Sequence, residues 1–194
     1  MGSSYQTILA AGDLADLRAA VSAWHQEAVI VPVAERRWAV VPVQEDGVYA
    51  ETEGLAQHLS SIDGGVAASF NVFDSDVLVA LLFRAGRGYH DYLSDQADLV
   101  EGWDDDDNEI LYDMLGRPYL PDETPPAGPF GADPVAFVAL GVGPVDKDAL
   151  EAALSRPGGR AVERHHAVLH ALNVDPRPLT MTFDEVAAAY PTGA

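Results

Sequence analysis

Residues 66–93 read VAASFNVFDSDVLVALLFRAGRGYHDYL, and this stretch decides the fold class. Three runs rich in Val, Leu, Phe and Tyr, Val66 to Phe73, Val77 to Phe83 and Gly88 to Leu93, have the length and composition of strands. They are separated by Asp74-Ser75-Asp76 and Ala85-Gly86-Arg87, short segments of turn-forming residues. Runs this close together connect as hairpins, so the expectation is an antiparallel meander.

Upstream, Tyr5 to Ala10 reads as a further strand. Gly12-Asp13 then opens a helix to about Gln26, with Leu14, Leu17, Val21 and Trp24 on one face. Ala28 to Ala34 and Trp38 to Val43 form a hairpin around Glu35-Arg36-Arg37. Each arm carries a Val-Pro-Val triplet, and because Pro32 and Pro42 have no N–H to donate, these strands are expected at an edge, at a bulge, or with the missing donor turned away from a partner. A helix over Thr52 to Ile62, with Leu55, Leu59 and Ile62 on one side, stops at Asp63-Gly64-Gly65. The resulting order is β-α-ββ-α-βββ.

Downstream of Leu93 the composition changes. An acidic stretch leads into an expected short helix from Asp107 to Leu115, then a proline-rich loop over residues 116–129. Beyond it the pattern is helical: Asp133-Pro134 starts a helix to about Leu140, Asp146 another through Leu154, and Arg160 to Leu172 a third. Strands followed by helices define an α+β fold, a mostly antiparallel sheet with a helical C-terminal region packed on one face. The divisions are residues 1–115 for the sheet with its acidic segment, 116–129 for the loop, and 130–194 for the helical region of the same domain.

The segment Phe73-Asp74-Ser75-Asp76 entering an apolar strand, then Gly86, Tyr92-Leu93-Ser94 and Glu163-Arg164-His165, resembles a group of uncharacterised bacterial α+β proteins over roughly residues 66 to 172. The resemblance implies the fold and carries no activity.

Composition narrows the function classes. With 194 residues and 48% hydrophobic content the chain can bury a real core. Its 31 Asp and Glu against 11 Lys and Arg give a formal charge of −20, a field that opposes nucleic acids and anionic membranes. It has no cysteine, which removes disulfides, thiolate nucleophiles and zinc ribbons. No apolar run is long enough to span a bilayer, and the first residues lack a charged segment followed by an apolar one, so the expected location is the cytoplasm.

The charge is concentrated. Between Gly88 and Gly116 there is no Lys or Arg, while ten carboxylates fall there, Asp104, Asp105, Asp106, Asp107 and Glu109 among them. One reading is an acidic start to a surface helix, where the macrodipole favours anions. The sharper reading is a docking surface, because Trp103 sits inside the run: carboxylates speed the approach of a basic protein and an indole supplies the buried area. Asp104, Asp106 and Asn108 imitate the start of an EF-hand loop, but Glu109 stands where its glycine is obligatory.

A second candidate lies on the last long helix. His166 and His170 are spaced i, i+4, with Glu163 one turn earlier, so three ligands of a divalent metal share a face. Ala167 occupies the position at which metalloprotease helices carry their general base, and a fourth ligand must come from elsewhere, Asp74, Asp76, His90 or Asp91. The alternative places Val162, His165, Leu169 and Leu172 in the core and leaves His166 and His170 half-exposed without a ligand. His90-Asp91 with Ser75 is a weaker nucleophile constellation, outside any Gly-x-Ser-x-Gly context.

The expected function is an acidic protein-binding module without catalysis or cofactor, an inhibitor or immunity-type protein that neutralises a basic effector. The alternatives are a metal-dependent hydrolase built on His-x-x-x-His, and a small-ligand-binding domain using the concave face of the sheet. Neither nucleic acid nor membrane is an expected partner.

Overall fold

The computed structural model describes residues 3–44, 49–103, 107–120 and 122–191. The class is α+β, with two antiparallel sheets. The larger is six-stranded and built from β1 (Tyr5–Ala11), β2 (Ala28–Ala34), β3 (Arg37–Pro42), β4 (Val66–Phe73), β5 (Val77–Arg84) and β6 (Arg87–Leu93), in the order β2-β3-β1-β4-β5-β6. Both tight turns of the meander use left-handed backbone: Asp74 and Ser75 at one, Ala85 and Gly86 at the other, all with φ between +46° and +75°. Positive φ at two successive turn residues matches the twist of the strands they join. β2 lies at an edge, and its pairing with β3 shifts register between Pro32 and Ala34, where the proline withholds its donor.

Helices cover both faces of this sheet: the C-terminal helices pack on one face, as expected, and the two earlier helices cover the other. On the first face α1 (Leu14–Ala23) contributes Leu17 and Val21, and α2 (Glu53–Ser60) contributes Leu55 and Leu59, against Ile8, Ile30, Val40 and Phe83. The opposite face packs Leu9, Phe70, Leu78, Leu82 and Tyr92 beneath α3 (Pro134–Phe137), α4 (Lys147–Ser155), α5 (Ala161–Ala171) and α6 (Phe183–Ala189). This explains why β4 and β5 are apolar nearly throughout, since a strand between two helical layers buries both of its sides. Asp133 accepts from the Val135 N–H and Asp146 from the Ala149 N–H, so the starts of α3 and α4 are capped. The sequence expectation stops at Leu172, whereas α6 follows a full capping box between Thr182 and Glu185.

The main correction concerns residues 99–119. The expected helix from Asp107 to Leu115 is absent, and the acidic segment belongs to a hairpin. Strands β7 (Leu99–Trp103), β8 (Glu109–Asp113) and β9 (Pro118–Tyr119) form the second, three-stranded sheet. Ile110-Leu111-Tyr112 pairs with Gly102-Glu101-Val100, satisfying the backbone across the hairpin instead of along a helix. β9 falls inside the expected proline-rich loop. No helix among the described residues is long and apolar enough to cross a membrane.

Candidate functional site

The β7–β8 register arranges the acidic segment. Trp103 pairs with Glu109 and Glu101 with Leu111. Side chains two apart in a strand share a face, so Glu101 and Glu109 flank the Trp103 indole on one side of the sheet. Trp103 is 68% exposed, the most exposed of the large apolar side chains among the described residues. Glu101, Asp107 and Glu109 are exposed as well, and Asp107 takes a left-handed backbone with φ +60°. Asp104, Asp105 and Asp106 lie outside the described residues; by sequence they connect Trp103 to Asp107. On the other side Gly102 sits under Tyr112, since a Cβ there would lie 2.8 Å from the ring. The missing side chain is what lets the tyrosine lie across the hairpin.

A buried polar node holds this small sheet in place. Asp113 is 2% exposed and is therefore not one of the solvated carboxylates of the run. Its Oδ2 accepts from Arg117 Nε at 2.7 Å and from the Tyr119 hydroxyl at 3.3 Å, and its Oδ1 accepts from the N–H groups of Leu115 and Arg117. The Arg117 guanidinium also donates to Gln96 Oε1 at 3.1 Å and lies 3.9 Å from the centre of the Phe130 ring. Gln96 and Phe130 continue the link: Gln96 bonds the Gly128 carbonyl, and Phe130 bridges to Leu93 at the end of β6. The hairpin is thus held at its base and presents Trp103 at its far end.

The negative surface extends beyond the hairpin. Burial, and then the charges of Asp95, Asp76 and Asp74, raise the pKa of Asp98. Carboxylates from the β4–β5 turn and from the segment before β7 therefore crowd one region and oppose each other's ionisation.

The histidine candidates take a different arrangement. Glu163, His166 and His170 are all exposed on α5, and the two imidazoles do approach, with ring centres 4.9 Å apart. Burial and the neighbouring His170 lower the His166 pKa, while Asp175 opposes that shift. Among the described residues no group of three or more His, Cys, Asp or Glu side chains is placed to hold a metal ion. Asp74, Asp76, His90 and Asp91 do not complete the set. His90 Nε2 is 2.7 Å from the Gly131 carbonyl oxygen, and Ser75 is buried, with its Oγ accepting from the Ser3 N–H at 2.7 Å. Both side chains hold loops together.

Two buried residues of α5 carry more of the structure than the exposed pair does. His165 lies in the core between Tyr5 and Phe70, with Nδ1 3.1 Å from the Tyr5 hydroxyl, and burial pushes its pKa down to about 3. Arg164 is buried next to it on the helix, a position that residue type alone gives no reason to place inside. The available signal is helical spacing: positions 161, 164, 165, 168, 169 and 172 form one face, whatever occupies them. No family model, curated protein or solved structure matches this chain.

Proposed function

We infer that this protein is a binding module whose β7–β8 hairpin receives a basic protein partner, in the manner of an inhibitor or immunity-type protein that neutralises a cationic effector. The observation that carries the reading is Trp103, 68% exposed at the end of a hairpin and flanked by Glu101 and Glu109. Leaving an indole in water wastes a large apolar surface, and burying it under a partner recovers that free energy. The surrounding carboxylates raise the encounter rate with a cationic surface, and the crowding felt by Asp98 relaxes when positive charge arrives. Extension of the six-stranded sheet is disfavoured as the docking mode. The β2 edge carries Pro32 and a register shift, and the end of β6 is taken by Phe130.

The test takes basic proteins that cross-link to the chain in a lysate of its source cell, purifies them and measures each affinity. The expected result is a Kd that weakens as salt rises. Trp103→Ala should weaken it about 30-fold, equivalent to about 2 kcal/mol, as for a central hot spot. Asn at positions 104 to 107 should chiefly slow association. An affinity indifferent to salt and to both variants overturns the reading.

A further inference from the structure

In a chain of net charge −20, the segment from Arg156 to Arg164 collects three of the eleven Lys and Arg residues within nine positions. It joins α4 to α5 and borders a cavity of about 340 Å³ between these helices. One wall is small and apolar, with Ala149 and Ala153 from α4 facing Ala167 from α5; Arg156, Arg160 and Arg164 supply positive charge, opposed by Glu163 alone. An apolar pocket with a few convergent charges is the usual form of a small-ligand site.

Arg164 is 7% exposed and has no carboxylate partner: the ion pairs among the described residues are Arg36 with Asp13 and Arg117 with Asp113. Its guanidinium donates to the Ala153 and Leu154 carbonyls at the end of α4, to the Tyr92 hydroxyl and to the Gly158 carbonyl. Those neutral acceptors, and the negative end of the α4 dipole, offset only part of the cost of a buried cation. The Arg164 Nε remains buried with no acceptor. A second unmet demand lies alongside. The N-cap of α5 is Arg160; the Ser75 carbonyl accepts from the Ala161 N–H at 2.8 Å, but no side chain caps this helix start, where a Ser, Thr or Asp would ordinarily accept from the following first-turn N–H groups. Gly158 and Gly159, both at positive φ, turn the chain so that Arg156 and Arg160 border the same cavity, and both arginines are exposed and without an ion pair among the described residues.

We propose that the cavity between α4 and α5 binds a small organic anion, a phosphate or carboxylate carried on an apolar body. The anionic head is held by Arg156, Arg160 and the uncapped start of α5, above the buried charge of Arg164. The apolar body lies against the alanines. Glu163 sets a limit on the charge the site tolerates and disfavours an anion that reaches its side of the cavity.

The experiment titrates the full chain with phenyl phosphate, 3-phenylpropionate and inorganic phosphate, following the backbone amide resonances. The expected result is a saturable shift of residues 158–164 with phenyl phosphate or 3-phenylpropionate; the one that binds more tightly names the head group. Inorganic phosphate, lacking the apolar body, should bind at least 10-fold more weakly. The exposed double variant Arg156→Gln, Arg160→Gln, which leaves the buried Arg164 bonds intact, should lose at least 10-fold in affinity at unchanged Tm. Glu163→Gln should tighten binding 2-fold or more. Failure of both organic anions to give a saturable shift at residues 158–164 overturns the proposal, as does equal affinity in the double arginine variant.

Discussion

The six-stranded sheet and the three-stranded sheet β7–β9 are both antiparallel, yet they cohere for different reasons. The first is buried on both faces, and side chains such as Leu9, Phe70 and Leu82 have no measurable exposure. Its stability is spread over many apolar contacts. The second buries little and leaves Val100 and Trp103 exposed. It is anchored at one place, the polar node of Asp113 with Arg117, Tyr119 and Gln96, beside which Met114 and Leu115 pack against Val77, Val79 and Leu93 of the main sheet. A region held by spread burial loses stability globally when injured, whereas one held at a single node comes away by itself.

The sharpest way to break this contrast is to injure each side in turn. Phe70→Ala removes a fully buried ring from the main core and should cost about 4 kcal/mol, with faster amide exchange throughout the six strands. Asp113→Ala leaves Arg117 without its carboxylate and should cost about 3 kcal/mol. Its effect should be confined: amides of β7 and β8 lose protection while those of β1 and β4 keep theirs. If instead the β1 and β4 amides exchange faster by the same factor, the two sheets form one cooperative unit and the contrast fails.

Acid discriminates more gently. His165 stays neutral in the folded core until about pH 3, while the same side chain in the unfolded chain takes up a proton near pH 6.5. The unfolded state therefore binds more protons across that window, and stability falls with falling pH by about 1.4 kcal/mol per unit. Denaturant melts at pH 6.5 and 5.0 should differ by about 2 kcal/mol from this group. The paired change His165→Phe, Tyr5→Phe removes both members of the buried hydrogen bond and should flatten the slope. An unchanged slope in that variant would assign the acid sensitivity to other groups. The smallest expected effect is that of Trp103→Ala on folding: an exposed indole contributes within about 0.5 kcal/mol, so Tm should scarcely move even though partner binding collapses. A large fall in Tm would make Trp103 a structural residue of the small sheet.

The same division governs what residue patterns reveal. The main sheet and the helices on it are legible because their signals are local: apolar runs of β-formers, Ala85-Gly86 at a turn, Asp133-Pro134 and Asp146 at helix starts. In residues 99–113 the local signals conflict. Four successive aspartates suit a helix N-terminus as well as a turn, and Ile110-Leu111-Tyr112 is too short a run to decide on its own. The deciding partner, Glu101 to Val100 across the hairpin, is visible only once the pairing is known. Asp113 looks like one more surface acid until Arg117, four residues on, is seen to bury it. Arg164 is the extreme case, since its acceptors come from β6, from α4 and from the loop that follows α4. At the site, exposure of Trp103 follows from its charged neighbours, and the pairing of His166 with His170 follows from helical spacing. That no third ligand joins them among the described residues depends on where β4 and β6 travel, which no spacing within α5 encodes. The Thr182 to Glu185 box is a local signal too, but the reading that stops at Leu172 misses it.

The position of β1 has a consequence in time. It is the first strand of this sheet in chain order and it lies in the interior, between β3 and β4. Its β3 edge can be occupied once Pro42 has been made, but its β4 edge stays open until the ribosome has passed Phe73. Its side chains wait longer still: the Thr7 hydroxyl donates to the Leu179 carbonyl, and the Tyr5 hydroxyl meets His165. Contacts of such long sequence separation form late, because the closing of large loops precedes any return from them. The growing chain therefore carries an apolar strand with one edge open until β4 emerges, and the core contacts of that strand close only when His165 and Leu179 have been made.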